Sequence, residues 1–118
     1  MILTIFIVVI TVLAVMMCIL LLFPLIRVCG DSMSPTLLDG EYLIGTRLFN
    51  KKSCEIGGVY VFRPPYDSED RKYVIKRLHH IRGGKYFFIG DNPECSYDSR
   101  NYGYVDSKNI VAKIVTRR

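Results

Sequence analysis

Charge is missing from the start of this chain. Met1 to Ile26 contain no Lys, Arg, Asp or Glu, so every charged side chain falls within residues 27–118. An uncharged apolar run longer than the roughly 20 residues needed to cross a bilayer's hydrocarbon predicts a transmembrane helix. The features of a cleaved secretory leader are missing as well, because no basic segment opens the run and no small-x-small site closes it. Cys29 follows Ile26, Arg27 and Val28 instead of small neutral residues, which argues against lipid attachment there. A buried core helix is the alternative for so apolar a segment. The chain is expected to divide into an anchor, residues 1–26, and a single folded domain, residues 27–118.

Metal-ligand spacing is also missing. Cys18, Cys29, Cys54 and Cys95 form no CxxC and no Cys/His pattern, and the two histidines are adjacent, so no structural zinc site is expected. Free thiols packed as small hydrophobes are the plain expectation. A Cys29–Cys95 disulfide is the alternative if the domain faces an oxidising compartment. There is no repeat or low-complexity tract, and nothing points to nucleic acid. The net charge of +5 serves either solubility or attraction to anionic lipid headgroups. With Arg27 and the basic remainder on one side of the run, the positive-inside rule taken alone favours a cytoplasmic domain.

After the apolar run come short β-branched and aromatic segments punctuated by Gly, Pro and Asp/Asn/Ser clusters. This pattern predicts a mainly β domain. Strands are expected at Glu41–Arg47, Gly58–Phe62, Tyr73–Ile81, Lys85–Ile89 and Ile110–Thr116, with Arg82-Gly83-Gly84 turning a hairpin. Pro64-Pro65 ends the second strand, and the polar sequence from Tyr66 to Lys72 reads as a connection.

Alternation within the third strand places Val74, Lys76, Leu78 and His80 on one face and Ile75, Arg77, His79 and Ile81 on the other. Lys76 therefore lies between two aliphatic neighbours. Two readings stay open: the ammonium snorkels to water, or the amine is desolvated and its pKa falls because burial penalises charge. A desolvated lysine can take the proton of a serine hydroxyl, itself a weak nucleophile until a base acts on it. Ser32, in the turn-rich stretch VCGDSMSPTLLDG, is the candidate, although a serine in a turn also has an ordinary local role. Histidine is the commoner base. On a regular strand, however, His79 faces away from Lys76, and His80 lies roughly 13 Å further along at about 3.3 Å per residue. The third segment, FIGDNPECSYDSRNYGYV, packs Gly, Asp, Asn, Ser and Arg more densely than a connection requires, as catalytic loops do.

Together these segments resemble the type I signal peptidases, Ser/Lys proteases that remove signal peptides. GDSMSPTLLDGEYLI resembles that family's nucleophile box, YVIKRLHHI the lysine box, VYVFRPP the strand before it, and GDNPECSYDSRNYG the closing box. The resemblance covers nearly the whole chain. It implies an antiparallel β catalytic domain behind one membrane helix, with Ser32 as nucleophile and Lys76 as general base. Ser96 would orient the lysine amine, Asp98 and Arg100 would form a supporting ion pair, and Arg77 would lie beside the site. Val28, Met33, Leu37 and Ile75 would wall shallow pockets for small substrate residues.

No cofactor or metal is implied. The partners would be precursor proteins and the bilayer, and the domain would be extracytoplasmic, against the charge rule. Three positions depart from the family pattern: Gly30 stands where some members place a serine oxyanion donor, and Glu41 and Gly58 replace the usual Asp. The short interval between Lys76 and Gly90 marks a minimal form. GDNP is similar to a branch of short enzymes that mature nickel-type superoxide dismutase, which is the alternative function. A noncatalytic, membrane-tethered peptide-binding β-module is the alternative of another class.

Overall fold

The computed structural model describes residues 1–66 and 73–115. Its first element, α1 (Ile2–Leu22), has 21 residues and no buried side chain. At about 1.5 Å per residue it is about 30 Å long, the thickness of a bilayer's hydrocarbon. The hydroxyl of Thr11 donates to the Ile7 carbonyl at 2.8 Å, so even this polar group is satisfied within the helix. The helix is long and apolar enough to cross a membrane.

Among the described residues seven strands follow: β1 (Leu25–Arg27), β2 (Tyr42–Thr46), β3 (Val59–Phe62), β4 (Val74–Arg82), β5 (Lys85–Ile89), β6 (Val105–Asp106) and β7 (Ile110–Ile114). They form one antiparallel sheet in the order β1-β2-β7-β3-β4-β5-β6. A one-turn helix, α2 (Ser99–Tyr102), precedes β6. The fold is mainly β behind one apolar helix.

Why β3 is central follows from its sequence. VYVF is apolar at every position, and a strand buried on both faces reads as an unbroken apolar run. Val59 and Val61 join one core with Val28, Met33, Leu37, Leu43, Ala112 and Ile114. Tyr60 and Phe62 join the other, with Val74, Leu78, Tyr86, Phe88, Val105 and Ile110. Phe62 stacks on Phe88 at 4.3 Å between ring centroids. The buried tyrosines stay hydrogen-bonded, Tyr60 accepting from the Glu55 amide at 2.8 Å and Tyr86 donating to the Lys51 carbonyl at 2.7 Å.

Most expected strands appear with ends displaced by a residue or two, and Lys85–Ile89 coincides. Thr116, and the expected polar connection beyond Tyr66, lie outside the described residues. β1 and β6 were not anticipated, because two or three residues carry no readable period. Leu25 and Ile26, expected to end the anchor, already pair with Ile44 and Leu43 of β2. The premise of a regular third strand fails after Leu78, where a bulge shifts the register before His80. All four cysteines are free in this structure. Only Cys54 is a packed thiol; Cys18, Cys29 and Cys95 are exposed, and Cys29 is not joined to Cys95.

Phe62 is fully buried at the junction of β3, β4 and β5. Phe62→Ala should therefore lower unfolding free energy by about 3–5 kcal/mol through lost burial and a residual cavity. Urea denaturation of the detergent-solubilised chain measures this.

Candidate active site

The segment carrying Ser32 leaves the sheet and returns to it at one place. The Val28 amide donates to the Glu41 carbonyl at 2.8 Å, and the Gly40 amide returns a bond to the Val28 carbonyl at 2.7 Å. Inside the loop, the Gly30 amide donates to Asp39 Oδ1 at 2.8 Å and the Leu37 amide to the Met33 carbonyl at 2.9 Å. Met33 and Leu37 are sunk in the core, at 1% and 0% exposure. Apolar anchors below and polar ties above thus fix Ser32 at a half-buried position.

Lys76 reaches it from β4. Its Nζ lies 2.9 Å from Ser32 Oγ and also donates to the Ile75 carbonyl at 3.2 Å. Lys76 is 3% exposed, between buried Val74 and Leu78, so of the two readings of its face the desolvated one describes this structure. The histidines point elsewhere: His80 bonds the Tyr104 hydroxyl at 2.8 Å and stacks on Phe87, while His79 Nδ1 meets His80 Nδ1 at 2.7 Å.

The loop after β5 closes over the serine turn. The Asn92 amide donates to the Ser32 carbonyl at 2.8 Å, and Asn92 Nδ2 to the Asp31 carbonyl at 3.0 Å. The two segments meet so closely at Gly90 that a Cβ there would stand 2.6 Å from the Ser32 carbonyl oxygen and 2.2 Å from Ser96 Oγ. Only glycine fits.

Asp98 organises the far side of this loop. Its Oδ1 accepts from Arg100 Nε at 2.8 Å, and its Oδ2 from the Ser96 hydroxyl at 2.6 Å, the Gly90 amide at 2.9 Å and Arg100 Nη2 at 3.0 Å. Burial pushes the Asp98 pKa up, but the bonds from Arg100, Ser96 and the Gly90 and Arg100 amides outweigh it and hold the carboxyl at about 2. Ser96, expected to orient the lysine amine, spends its proton on Asp98, so its lone pairs are what would meet that amine. Arg77 forms a two-pronged pair with Asp91, Nε to Oδ1 and Nη2 to Oδ2 each at 2.8 Å, and Nη1 reaches the Gly57 carbonyl at 2.6 Å. The hydrogen bond from Arg77 is the main cause holding the Asp91 carboxyl below its ordinary pKa.

A cleft of about 370 Å³ opens beside Ser32 and Lys76, with Val28, Met33, Val61, Ile75 and Ile26 in its walls and Arg27, Cys29 and Tyr73 also lining it. Three of the four expected pocket residues, Val28, Met33 and Ile75, line this cleft. Leu37 does not: it is buried in the core beneath the serine turn, where it supports Met33. Asp91, Asn92 and Gly90 were not singled out in the sequence, although the GDN triplet holding them was part of the closing segment. Tyr73 and Val61 gave no signal beyond apolar strand character.

Comparison with known proteins gives one family model, described as signal peptidase, peptidase S26, matching residues 1–83 and 75–117. Mitochondrial inner membrane protease subunit 1 of Schizosaccharomyces pombe is 33% identical over 117 residues, covering 81% of this chain and 73% of that protein. Signal peptidase I of Rickettsia massiliae is 40% identical over 70 residues, covering 58% of this chain but 23% of the bacterial enzyme. Signal peptidase IB of Staphylococcus aureus (strain Mu50) is 28% identical over 141 aligned positions, covering 75% of this chain and 73% of that enzyme.

Two outcomes follow from the closing loop. Asp98 titrates lower when folded than the roughly 3.9 of an unfolded aspartate, so it stabilises the fold above about pH 4, and that stability drains away as pH falls toward about 2. The amount is on the order of 2 kcal/mol. Urea titrations between pH 6 and 2 should show this loss in the native chain, whereas Asp98→Asn should be weaker at neutral pH and flatter with acid. Gly90→Ala should force the loop off Ser32, lowering peptide cleavage about a hundredfold while leaving the sheet's circular dichroism unchanged.

Proposed function

The chain belongs to the S26 family of signal peptidases, and we propose that it is a membrane-anchored serine endopeptidase in which Ser32 attacks and Lys76 is the base. The observation carrying this reading is the 2.9 Å approach of a buried lysine amine to a serine hydroxyl at an apolar cleft. Burial disfavours the ammonium form, and a neutral amine is what the mechanism requires.

In the proposed cycle Lys76 Nζ takes the Ser32 proton as Oγ adds to the scissile carbonyl. The oxyanion is met by the Ser32 backbone N–H, since the Gly30 amide is already engaged by Asp39. Lys76 then gives its proton to the departing amine, leaving an acyl ester on Ser32. A water, deprotonated by the same amine, hydrolyses the ester and restores the hydroxyl. Ser96, Asp98, Arg100 and the Arg77–Asp91 pair hold the two segments in register, and the scheme calls on no cofactor.

The substrate is an extended segment of an exported precursor, with small residues seated against Val28, Met33 and Ile75. α1 anchors the enzyme in the bilayer, with residues 27–118 as the catalytic part on the extracytoplasmic side, where signal peptides emerge. Comparing the N-termini of exported proteins with and without the enzyme distinguishes a general peptidase from one dedicated to a single precursor.

Ser32→Ala and Lys76→Ala should each reduce cleavage at least about a thousandfold, and the double variant should be little worse, because residues acting as one unit give non-additive losses. Lys76→Arg should also fail, since a guanidinium does not release its proton. The double variant His79→Ala, His80→Ala should retain most activity. Turnover by Lys76→Ala alongside inactivity of the histidine variant would overturn the Ser/Lys assignment. A Ser32→Ala variant that still binds precursor while an equally inactive native chain does the same would favour the noncatalytic module.

A further inference from the structure

We infer that Arg47 is a positioning residue that locks the membrane helix to the catalytic sheet and so sets the height of the cleft above the bilayer. The inference rests on the anchored-peptidase reading. It begins from the end of α1, where the last carbonyls of a helix have no partner within the helix. Phe23 returns its amide to Ile19, at 2.9 Å. The next carbonyls are taken by β2 and the residue after it. The Arg47 amide donates to Leu22 at 2.9 Å, the Arg47 guanidinium Nη1 donates to the Leu21 carbonyl, and the Gly45 amide donates to Pro24 at 2.9 Å.

The place of these bonds gives them their effect. A helix of about 30 Å beginning at Ile2 puts Leu21 and Leu22 at the edge of the hydrocarbon, where an unpaired carbonyl is costly. A cation at the negative end of the helix dipole adds attraction, and an arginine offers two or more donors from one planar group. After Phe23 and Pro24 the chain enters β1, pairing Leu25 with Ile44 and Arg27 with Tyr42. Leu25, Ile26 and Arg27 also line the cleft. Helix end, edge strand and cleft wall are thus one connected body. Arg47 itself is exposed and lies outside the cleft lining, so its effect on cleavage passes through the helix and β1.

A substrate held in the membrane must meet the cleft at a fixed height, whereas a short soluble peptide need not. In liposomes, Arg47→Ala should cleave a membrane-embedded precursor about tenfold more slowly, a partial form of the roughly hundredfold loss that a 1 Å misplacement brings. Its cleavage of a soluble peptide spanning the same site should stay within about twofold of the native rate. Arg47→Lys, which keeps the charge and an ammonium able to donate to the Leu21 carbonyl, should restore most of the precursor rate, and Arg47→Glu should be worse than Ala. Equal losses on both substrates would overturn the inference in favour of a general folding role, as would native precursor processing by Arg47→Ala.

A measurement independent of activity separates this from failure of the peptidase reading. Nitroxide labels on exposed Cys18 in α1 and Cys95 in the domain, with Cys29→Ser and buried Cys54 left in place, report the helix–domain distance in liposomes. The distribution should be narrow in the otherwise native chain, broad in Arg47→Ala and narrow again in Arg47→Lys. A distribution indifferent to Arg47 would sink the clamp, whatever the chain cleaves.

Discussion

A lysine amine withdrawn from water beside a serine hydroxyl is the constraint around which this domain is organised. Moving a lysine charge out of water costs several kcal/mol, so the fold must supply a wall that neither yields nor admits water. β4 provides it, held by β3 on one side and by β5 from Arg77 onward on the other. The aromatic contacts of Tyr60, Phe62 and Phe88 sit beneath that wall. Val74 and Leu78 flank the lysine from the same core.

The carboxylates of the closing loop obey the same constraint. On the proposed mechanism, an unpaired negative charge beside Lys76 would favour its ammonium form and oppose its use as a base. Asp91 is matched by Arg77, and Asp98 by Arg100, each through two nitrogen donors. Fork-to-fork pairing satisfies the carboxylates with fixed geometry. The loop thereby gains rigidity from charge while presenting compensated pairs to the site. Among its other polar groups, the Asn92 amide and side chain go to the carbonyls of Ser32 and Asp31 and fix the backbone that carries the hydroxyl.

How much of this was legible before the structure depended on the range of each interaction. The apolar helix and the longer strands follow from local periodicity, which a single chain displays in full. The face that Lys76 shares with Val74 and Leu78 was also legible, because alternation is a local rule, but whether its amine is buried or snorkels to water was decided only by packing. Beyond Leu78 the bulge turned His80 off the Lys76 face and onto Phe87, while His79 stayed on the opposite face as expected, and a one-residue irregularity leaves no mark on composition. The Ser32–Lys76 approach, 44 residues apart in sequence, was only implied by the family resemblance that three segments together carry. Leu37 was misplaced for a related reason: an apolar residue near a site reads alike whether it faces substrate or core, and only packing decides. The Arg77–Asp91 pair needed the fold, since nothing local distinguishes Asp91 from the other acids of its loop.

β1 ties the apolar helix to the cleft. Its three residues form the edge strand of the sheet, pairing with β2 on one side, and only Phe23 and Pro24 separate them from the end of the apolar helix. An edge strand offers backbone donors and acceptors to an incoming extended peptide. Here that edge lies along the cleft containing Ser32, so under the proposed function a precursor segment at the bilayer surface would meet pairing groups, apolar walls and the Ser32 hydroxyl together. A long flexible linker between helix and domain would let the site sample many heights, and binding a membrane-held segment would then carry an ordering cost. Under the proposed function, continuous structure from α1 through β1 would remove that cost in advance and make the short connection part of how the site meets its substrate.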